Sequence, residues 1–293
     1  MDYRLQVFSR VAEQQSISAA ARTLRISQPA VTQHIKFLEN SFQTTLFIRS
    51  RNGVTLTETG AILLAHSRRV SELSEEVTEK IRRKDSPLQG RIRLGASTTI
   101  AGYFLPEILV AFKKAHPCVE VEITGGNSNA MINALLSQRI DVGLIESPCD
   151  RHDLKKTKFF EDEIVVIVSA KHPLAFKKST SLKQLLQYPV VLREEGSGTR
   201  QCIERSLKQN NILPSHLKII QELPNTEAIK RVVATGIGIG FISKTCLPYQ
   251  DTNSSLKTIA IRGVEIRRFF SIILPLGPDP KGIRQIFLKF LQR

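Results

Sequence analysis

The sequence predicts an α/β protein in three parts: a small helical N-terminal domain closed by a hairpin, one long helix, and a two-lobed domain in which strands and helices alternate. Three observations predict it. Residues 1–56 are short helix-permissive stretches broken by Ser, Pro and an Asn-Gly pair. Residues 57–84 contain no Pro and one Gly, Gly60, and beyond Gly90 short β-branched runs alternate with helical windows. Between the last two parts stands Ser86-Pro87-Leu88-Gln89-Gly90, where Pro87 cannot continue a helix and Gly90 relaxes the backbone. The expected division is a winged helix-turn-helix over 1–56, a linker helix over 57–85, a hinge over 86–90 and a two-lobed α/β domain over 91–293.

In the first part, Leu5, Phe8, Val11 and Ala12 fall at helical spacing, and Ser18 is the expected cap of a second helix through Ala19-Ala20-Ala21 to Leu24. Ser27 can cap a third, with Pro29 in its first turn, where a missing N–H does no harm. Val31, Ile35 and Leu38 form one apolar stripe on it. The opposite side carries Pro29, Thr32, Gln33 and Lys36, with Gln28 at the N-terminal end. That face is polar and nearly uncharged, which suits base edges. Gln amides bond adenine in pairs, Thr bonds or touches a thymine methyl, and Lys36 reaches phosphate or guanine. Leu46 to Leu56 then places Asn52-Gly53 between two strand-like arms, a hairpin wing. Arg49 and Arg51, two apart on one arm, project to the same side and are expected to meet the backbone or a minor groove. Double-stranded DNA is the expected partner.

This stretch, with SISAAARTLRISQPAVTQHIKFLE at its centre, closely resembles the winged helix-turn-helix of LysR-type transcriptional regulators. The order of strands, helices and hinge after Gly90 also looks like that family's effector domain. The resemblance implies a two-lobed fold of the periplasmic-binding-protein type II kind, base contacts from Gln28, Pro29, Thr32 and Gln33, and a backbone contact from the wing arginine. It further implies dimers assembled into a homotetramer, and RNA polymerase as a partner.

Thr57 can cap the long helix, on which Leu63, Val70, Leu73, Val77 and Ile81 form an apolar seam between charges. About 28 residues at 1.5 Å each span roughly 42 Å, too long for a small winged domain to cover. A homodimer through this helix follows, which also suits two recognition helices on a palindromic site.

In the third part, four strand-to-helix junctions carry small hydroxyl or amide residues: Ser97-Thr98-Thr99, Asn127-Ser128-Asn129, Gly196-Ser197-Gly198-Thr199 and Asn225-Thr226. Each can cap a helix. Ligands of open α/β sheets collect at such strand ends, where helix N-termini offer free N–H groups. Ser97, Thr98, Thr99, Asn127, Ser128, Asn129, Gly196, Ser197, Thr199, Asn225 and Thr226 are therefore the candidate effector-binding residues. Apart from Arg200 no cation marks these junctions, so the expected guest is a compact anion met by dipoles and hydroxyls, a sulfur oxyanion or small carboxylate. GASTTIAGYFLP and REEGSGTR also resemble effector domains of regulators of sulfur assimilation and carbon fixation.

Composition bounds the alternatives. The chain has 293 residues, 41 % hydrophobic and 24 % charged, an ordinary folded balance. Its net charge of +15 favours a polyanionic partner, although most of the excess lies beyond residue 90, outside the predicted DNA-reading part. No apolar run approaches the roughly 20 residues of a membrane span, and the N-terminus lacks the apolar core of a secretory signal, so a cytoplasmic location is expected. Four dispersed cysteines and six dispersed histidines form no zinc spacing, so no metal and no cofactor are expected. Cys202 is a candidate redox thiol, but a buried apolar role is expected instead. Gly236-Ile237-Gly238-Ile239-Gly240 follows a helix and enters a strand, the reverse of a dinucleotide site. Gly196-Ser197-Gly198 lacks the frame of a serine hydrolase. A small-anion-binding protein or an α/β enzyme using the same cleft are the rival readings, and residues 1–56 argue against both.

Overall fold

The structure is a computed structural model that describes residues 2–50, 53–81, 88–247 and 255–292. Two compact units divide the chain, Met1–Ser86 and Pro87–Arg293.

The first unit begins with α1 (Tyr3–Gln14), α2 (Ile17–Leu24) and α3 (Gln28–Phe42). The cap of α2 is Ser16, not Ser18: Ser16 is extended and its Oγ accepts from the Ala19 N–H at 3.2 Å. The helix thus starts two residues before the position expected, because Ile17 and Ser18 already have helical geometry. Ser27 caps α3 by accepting from the Ala30 N–H at 3.3 Å. Strands β1 (Phe47–Ser50) and β2 (Gly53–Leu56) pair antiparallel, Phe47 opposite Leu56, and the Val54 N–H donates to the Gln15 carbonyl at 3.0 Å, tying the wing to the end of α1. Thr57 caps α4 (Glu58–Ile81) through the Gly60 N–H at 2.9 Å. Gly60 is required there, since a Cβ would lie 2.2 Å from the Leu46 carbonyl oxygen. Val7, Phe8, Val11, Val31, Ile35, Leu38, Leu46, Val54 and Leu64 share one core.

The second unit is built on one ten-stranded sheet in the order β4-β3-β5-β12-β6-β10-β8-β9, with β11 on β6 and β7 on β11. These are β3 (Gly90–Ser97), β4 (Val119–Gly126), β5 (Val142–Ile145), β6 (Leu154–Ser169), β7 (Ser179–Thr180), β8 (Pro189–Arg193), β9 (Lys218–Leu223), β10 (Ile239–Ser243), β11 (Leu256–Ile261) and β12 (Ile266–Pro275). The helices are α5 (Leu105–Ala115), preceded by a π-helical turn Ile100–Phe104, then α6 (Ser128–Leu136), α7 (Leu182–Leu185), α8 (Gly198–Gln209), α9 (Thr226–Ala234) and α10 (Gly282–Leu291). Two lobes result. In the first, Ile92, Leu94, Phe112, Val142, Phe270 and Phe287 pack together; in the second, Val166, Val190, Leu192, Ile203, Leu207 and Phe241 do.

The sheet is mixed in strand direction. β3, β4 and β5 run parallel, as do β8, β9 and β10, but β6 and β12 pair antiparallel with each other and with their neighbours. β6 is 16 residues long, three times a usual strand, because residues 154–164 pair with β12 and residues 164–169 with β10 and β11. Sequence pattern showed only its apolar second half; the polar Lys155-Lys156-Thr157-Lys158 half carries no alternation that marks a strand. Among the described residues no helix is long and apolar enough to cross a membrane.

Candidate functional site

The α3 surface is built by burial on one side. Val31, Ile35 and Leu38 enter the core, which turns Gln28, Pro29, Gln33 and Lys36 outward and leaves Thr32 half-buried. Arg4 stacks on the Phe37 ring at 3.8 Å and Tyr3 meets His34 edge-on, fixing α3 against α1. Among the described residues, Gln28, Gln33 and Lys36 make no hydrogen bond or ion pair within the chain. Their donors and acceptors are therefore available to a partner on that face. The side chain of Arg49 and all of Arg51 lie outside the described residues.

Between the lobes, the hydroxyls converge on a carboxylate that the sequence reading missed. Ser97 Oγ donates to Glu146 Oε2 at 3.1 Å, and Thr99 Oγ1 and Thr199 Oγ1 donate to Oε1 at 3.2 and 3.3 Å. The Glu146 N–H reaches Ser128 Oγ at 3.5 Å. Arg268, on β12 and 4 % exposed, places Nη1 2.9 Å from Thr199 Oγ1 and 3.6 Å from Glu146, while its Nε donates to Asp162 at 2.7 Å. Ser243 and Thr245 donate to the other Asp162 oxygen at 2.7 and 2.9 Å. Burial opposes the Arg268 charge, but Glu146 and Asp162 outweigh it and hold its pKa above the usual arginine value.

The second missed cation is Arg193, at the end of β8 and 1 % exposed. Its Nη2 donates to Thr98 Oγ1 at 2.9 Å, and Nε and Nη2 clasp Glu194 at 2.8 and 3.0 Å. Its Nη1, like Ser197 Oγ four residues on, is buried without a partner. Arg200, the cation expected at this junction, is spent elsewhere: Nε donates to Glu204 and Nη1 lies 2.7 Å from Glu222.

Two of the four junctions cap their helices through side chains. Asn127 accepts from the Ala130 N–H and Asn225 from the Ala228 N–H, at 2.9 and 2.8 Å. The others do not: Thr99 leads into the π-helical turn and gives its hydroxyl to Glu146, and Ser197 makes no side-chain cap. The lobes meet where Asn127 donates to the Glu195 carbonyl at 3.3 Å and the Asn129 N–H to the Gly196 carbonyl at 3.3 Å. Gly198 lies so close to the first lobe that a Cβ would sit 2.6 Å from Glu146 Cγ and 2.7 Å from the Ser147 nitrogen. The α9 junction joins differently. Asn225 is exposed and used in its cap, while Glu227 accepts from Tyr103 and pairs with Lys230 at 2.6 Å. Burial first, then this hydrogen bond, raises the Tyr103 pKa.

Signals for the missed groups existed. Glu146 ends the apolar run Val142–Ile145 and so carries a charge into a buried strand end. Arg267 and Arg268 are adjacent on a strand, so one of them must face inward. Cys202 donates to the Glu146 carbonyl at 3.7 Å, and burial pushes its thiol up to about 11, the opposite of an activated thiolate. Among the described residues no group of His, Cys, Asp and Glu is placed to hold a metal ion.

Comparison with known proteins covers both units. Residues 3–61 match the family described as bacterial regulatory helix-turn-helix protein, lysR family, and residues 85–293 match the LysR substrate binding domain. The HTH-type transcriptional regulator CysL of Bacillus subtilis is 31 % identical over 289 residues, spanning 98 % of this chain and 95 % of that protein. Full-length OxyR from Pseudomonas aeruginosa, in variant form, aligns with a TM-score of 0.80 at 21 % identity over 99 % of this chain and 92 % of that one. The regulatory domain of CcmR from Synechocystis PCC6803, solved in complex with 2-PG, aligns with a TM-score of 0.64 at 29 % identity over 70 % of this chain and 96 % of that domain.

Proposed function

The chain belongs to the LysR family of transcriptional regulators, and from that premise we propose that it reads its operator with Gln28, Pro29, Thr32, Gln33 and Lys36 and senses a small anion between its effector lobes. It is a DNA-binding regulator with an effector-binding domain, not an enzyme. The wing arginines Arg49 and Arg51 supply backbone contacts, and a DNA partner assigns the protein to the cytoplasm. Dimers form through α4, where Leu73 is 65 % exposed and Val70 lies three residues away on the same side. Exposed Ile123 on edge strand β4 and Ile219 and Ile220 on the opposite edge strand β9 give the surface for a second contact, and hence for a tetramer.

One observation carries the effector reading. Arg193 Nη1 and Ser197 Oγ are buried donors without a partner, on the junction whose Arg193 also donates to Thr98 of the facing lobe. A buried guanidinium nitrogen left unpaired is costly, and an oxyanion satisfies it. Ser97, Thr99 and Thr199 already serve Glu146, and Asn127 and Asn225 cap their helices, so the guest is assigned to Thr98, Arg193, Ser197 and Asn129 rather than to all eleven candidates. Its class is a sulfur oxyanion or small carboxylate. The CcmR complex with 2-PG supports a small anion in a domain of this kind. The effector acts by preferring one lobe arrangement, and its leverage equals its differential affinity.

Footprinting on DNA flanking the protein's own gene tests the first half. Salt-sensitive protection is expected, and Gln33→Ala should lose about 1–3 kcal/mol of base discrimination. Thermal shift with sulfite, sulfate, thiosulfate and small carboxylates tests the second. Stabilisation of the wild type and its loss in Thr98→Ala are expected; stabilisation that survives the substitution, or none at all, removes the site.

A further inference from the structure

We propose a second anion-binding pocket on the strands β6 and β12 that cross between the lobes, separated from the effector cleft by the Glu146–Arg268 pair and built to take a small polyanion. It stands on its own observations and not on the cleft reading. A cavity of about 240 Å³ lies between α8 and the strands β6 and β12. At about 30 Å³ for each water-sized group, that is room for on the order of eight such groups.

Its construction follows from periodicity. Cys202, Arg205, Ser206 and Gln209 line it from α8, and their spacing is that of one helix face. Lys156 and Lys158 alternate on one face of β6, and Ser271 stands directly opposite Lys158 in the β6–β12 ladder, so all three share a side of the sheet. Three polar groups among the lining residues are buried and unpartnered: Arg268 Nη2, Ser147 Oγ and Ser271 Oγ. Arg268 is 4 % exposed, Ser147 2 % and Ser271 0 %.

Charge decides the class of guest. Glu146 is engaged by Arg268 and the hydroxyls, and Glu265 by Arg267, which also meets Glu161. Among the described residues, Lys156 and Arg205 form no ion pair, and Lys158 meets only the Phe269 ring, at 4.2 Å. Three cations without an ion pair therefore surround a floor that holds an unpaired guanidinium nitrogen and two hydroxyls. Such a set suits a compact guest with two or more negative charges, a phosphate or a polycarboxylate, since the cations' fields add and the floor supplies directional bonds.

The test is calorimetric titration of the full-length protein with inorganic phosphate and, separately, with citrate, in low-chloride buffer. Saturable uptake of one equivalent per chain is expected for at least one of them, and the responding probe assigns phosphate or polycarboxylate. Lys156→Ala/Arg205→Ala, both exposed side chains, should weaken it at least tenfold with an unchanged circular dichroism spectrum. Thr98→Ala should leave it intact. The proposal falls if neither probe saturates the wild type, if the double variant binds as well as the wild type, or if Thr98→Ala abolishes the uptake and so places it in the cleft. Should the double variant fail to fold, Lys158→Ala carries the same expectation.

Discussion

Glu146→Gln is expected to move stability and anion affinity in opposite directions. The substitution keeps the shape and removes one negative charge from a wall shared by both lobes. At 3.6 Å from Arg268 Nη1, a unit charge contributes about 4–5 kcal/mol at an effective dielectric near 20. The amide oxygen retains part of this, and Arg268 keeps Asp162 at 2.7 Å, so a net loss of about 2–3 kcal/mol is expected, below the roughly 3–5 kcal/mol of a fully orphaned buried charge. For a unit of this size that lowers Tm by roughly 4–12 °C. Thr98 and Thr99 link the two ionic groups, one hydroxyl meeting Arg193 and the next Glu146, so the lost charge sits on the order of 10 Å from an anion at Arg193. After screening, its removal is worth about 1 kcal/mol, roughly fivefold tighter binding. Calorimetric unfolding and anion titration of one preparation read both. An anion affinity that falls with the Tm would show that Glu146 holds the guest, and would refute the assignment to Arg193.

Gly198→Ala should destabilise the second unit by about 1–3 kcal/mol, because its Cβ meets Glu146 Cγ and the Ser147 backbone, whereas Gly102→Ala, which meets nothing within 4 Å, should not; comparing the two melting points separates close packing from a general intolerance of side chains. Leu73→Glu on α4 should shift the protein to lower mass in sedimentation while leaving the monomer folded, as expected of an exposed seam residue. Alkaline stability carries a sign. Burial raises the thiols of Cys202 and Cys246 from 9.0 to about 11 and about 12, so the folded state keeps protons that the unfolded state releases. Their contribution is complete below pH 9 and is lost as pH rises towards 12; urea midpoints at pH 8, 10 and 11 should fall in that order, and less in Cys202→Ala.

Local signals were legible where one residue type forces one geometry. Ser27 and Thr57 cap the helices they precede, and Val31, Ile35 and Leu38 bury the side of α3 that their spacing marks. Legibility failed where pairing partners distant in sequence decide. The polar half of β6 becomes a strand only because β12, over a hundred residues later, supplies its ladder. Thr99 and Ser197 look like caps by position, yet one hydroxyl goes to Glu146, 47 residues away, and the other is buried without a partner. The expectation of a site with few cations failed for the same reason. Arg268 and Arg193 lie on strands, read as ordinary charged residues, until the fold places them in the centre.

The same cations limit how strongly an effector can act. The bonds that join the lobes come from the chain's own groups: Arg268 on a crossing strand holds Thr199 of the second lobe and Glu146 of the first, Arg193 holds Thr98, and Gly196 meets Asn129. A guest at Arg193 adds only what Nη1 and Ser197 Oγ lack, about one charge-assisted and one neutral hydrogen bond. If those bonds form in one lobe arrangement and not in the other, the coupling is about 2–4.5 kcal/mol, or roughly 30- to 2000-fold in affinity. That falls short of the about 5.5 kcal/mol needed to drive a two-state element from 1:99 to 99:1. The expected response to the effector is therefore graded, a shift in the balance between lobe arrangements that both exist without it, and the contacts of the crossing strands β6 and β12 set where that balance starts.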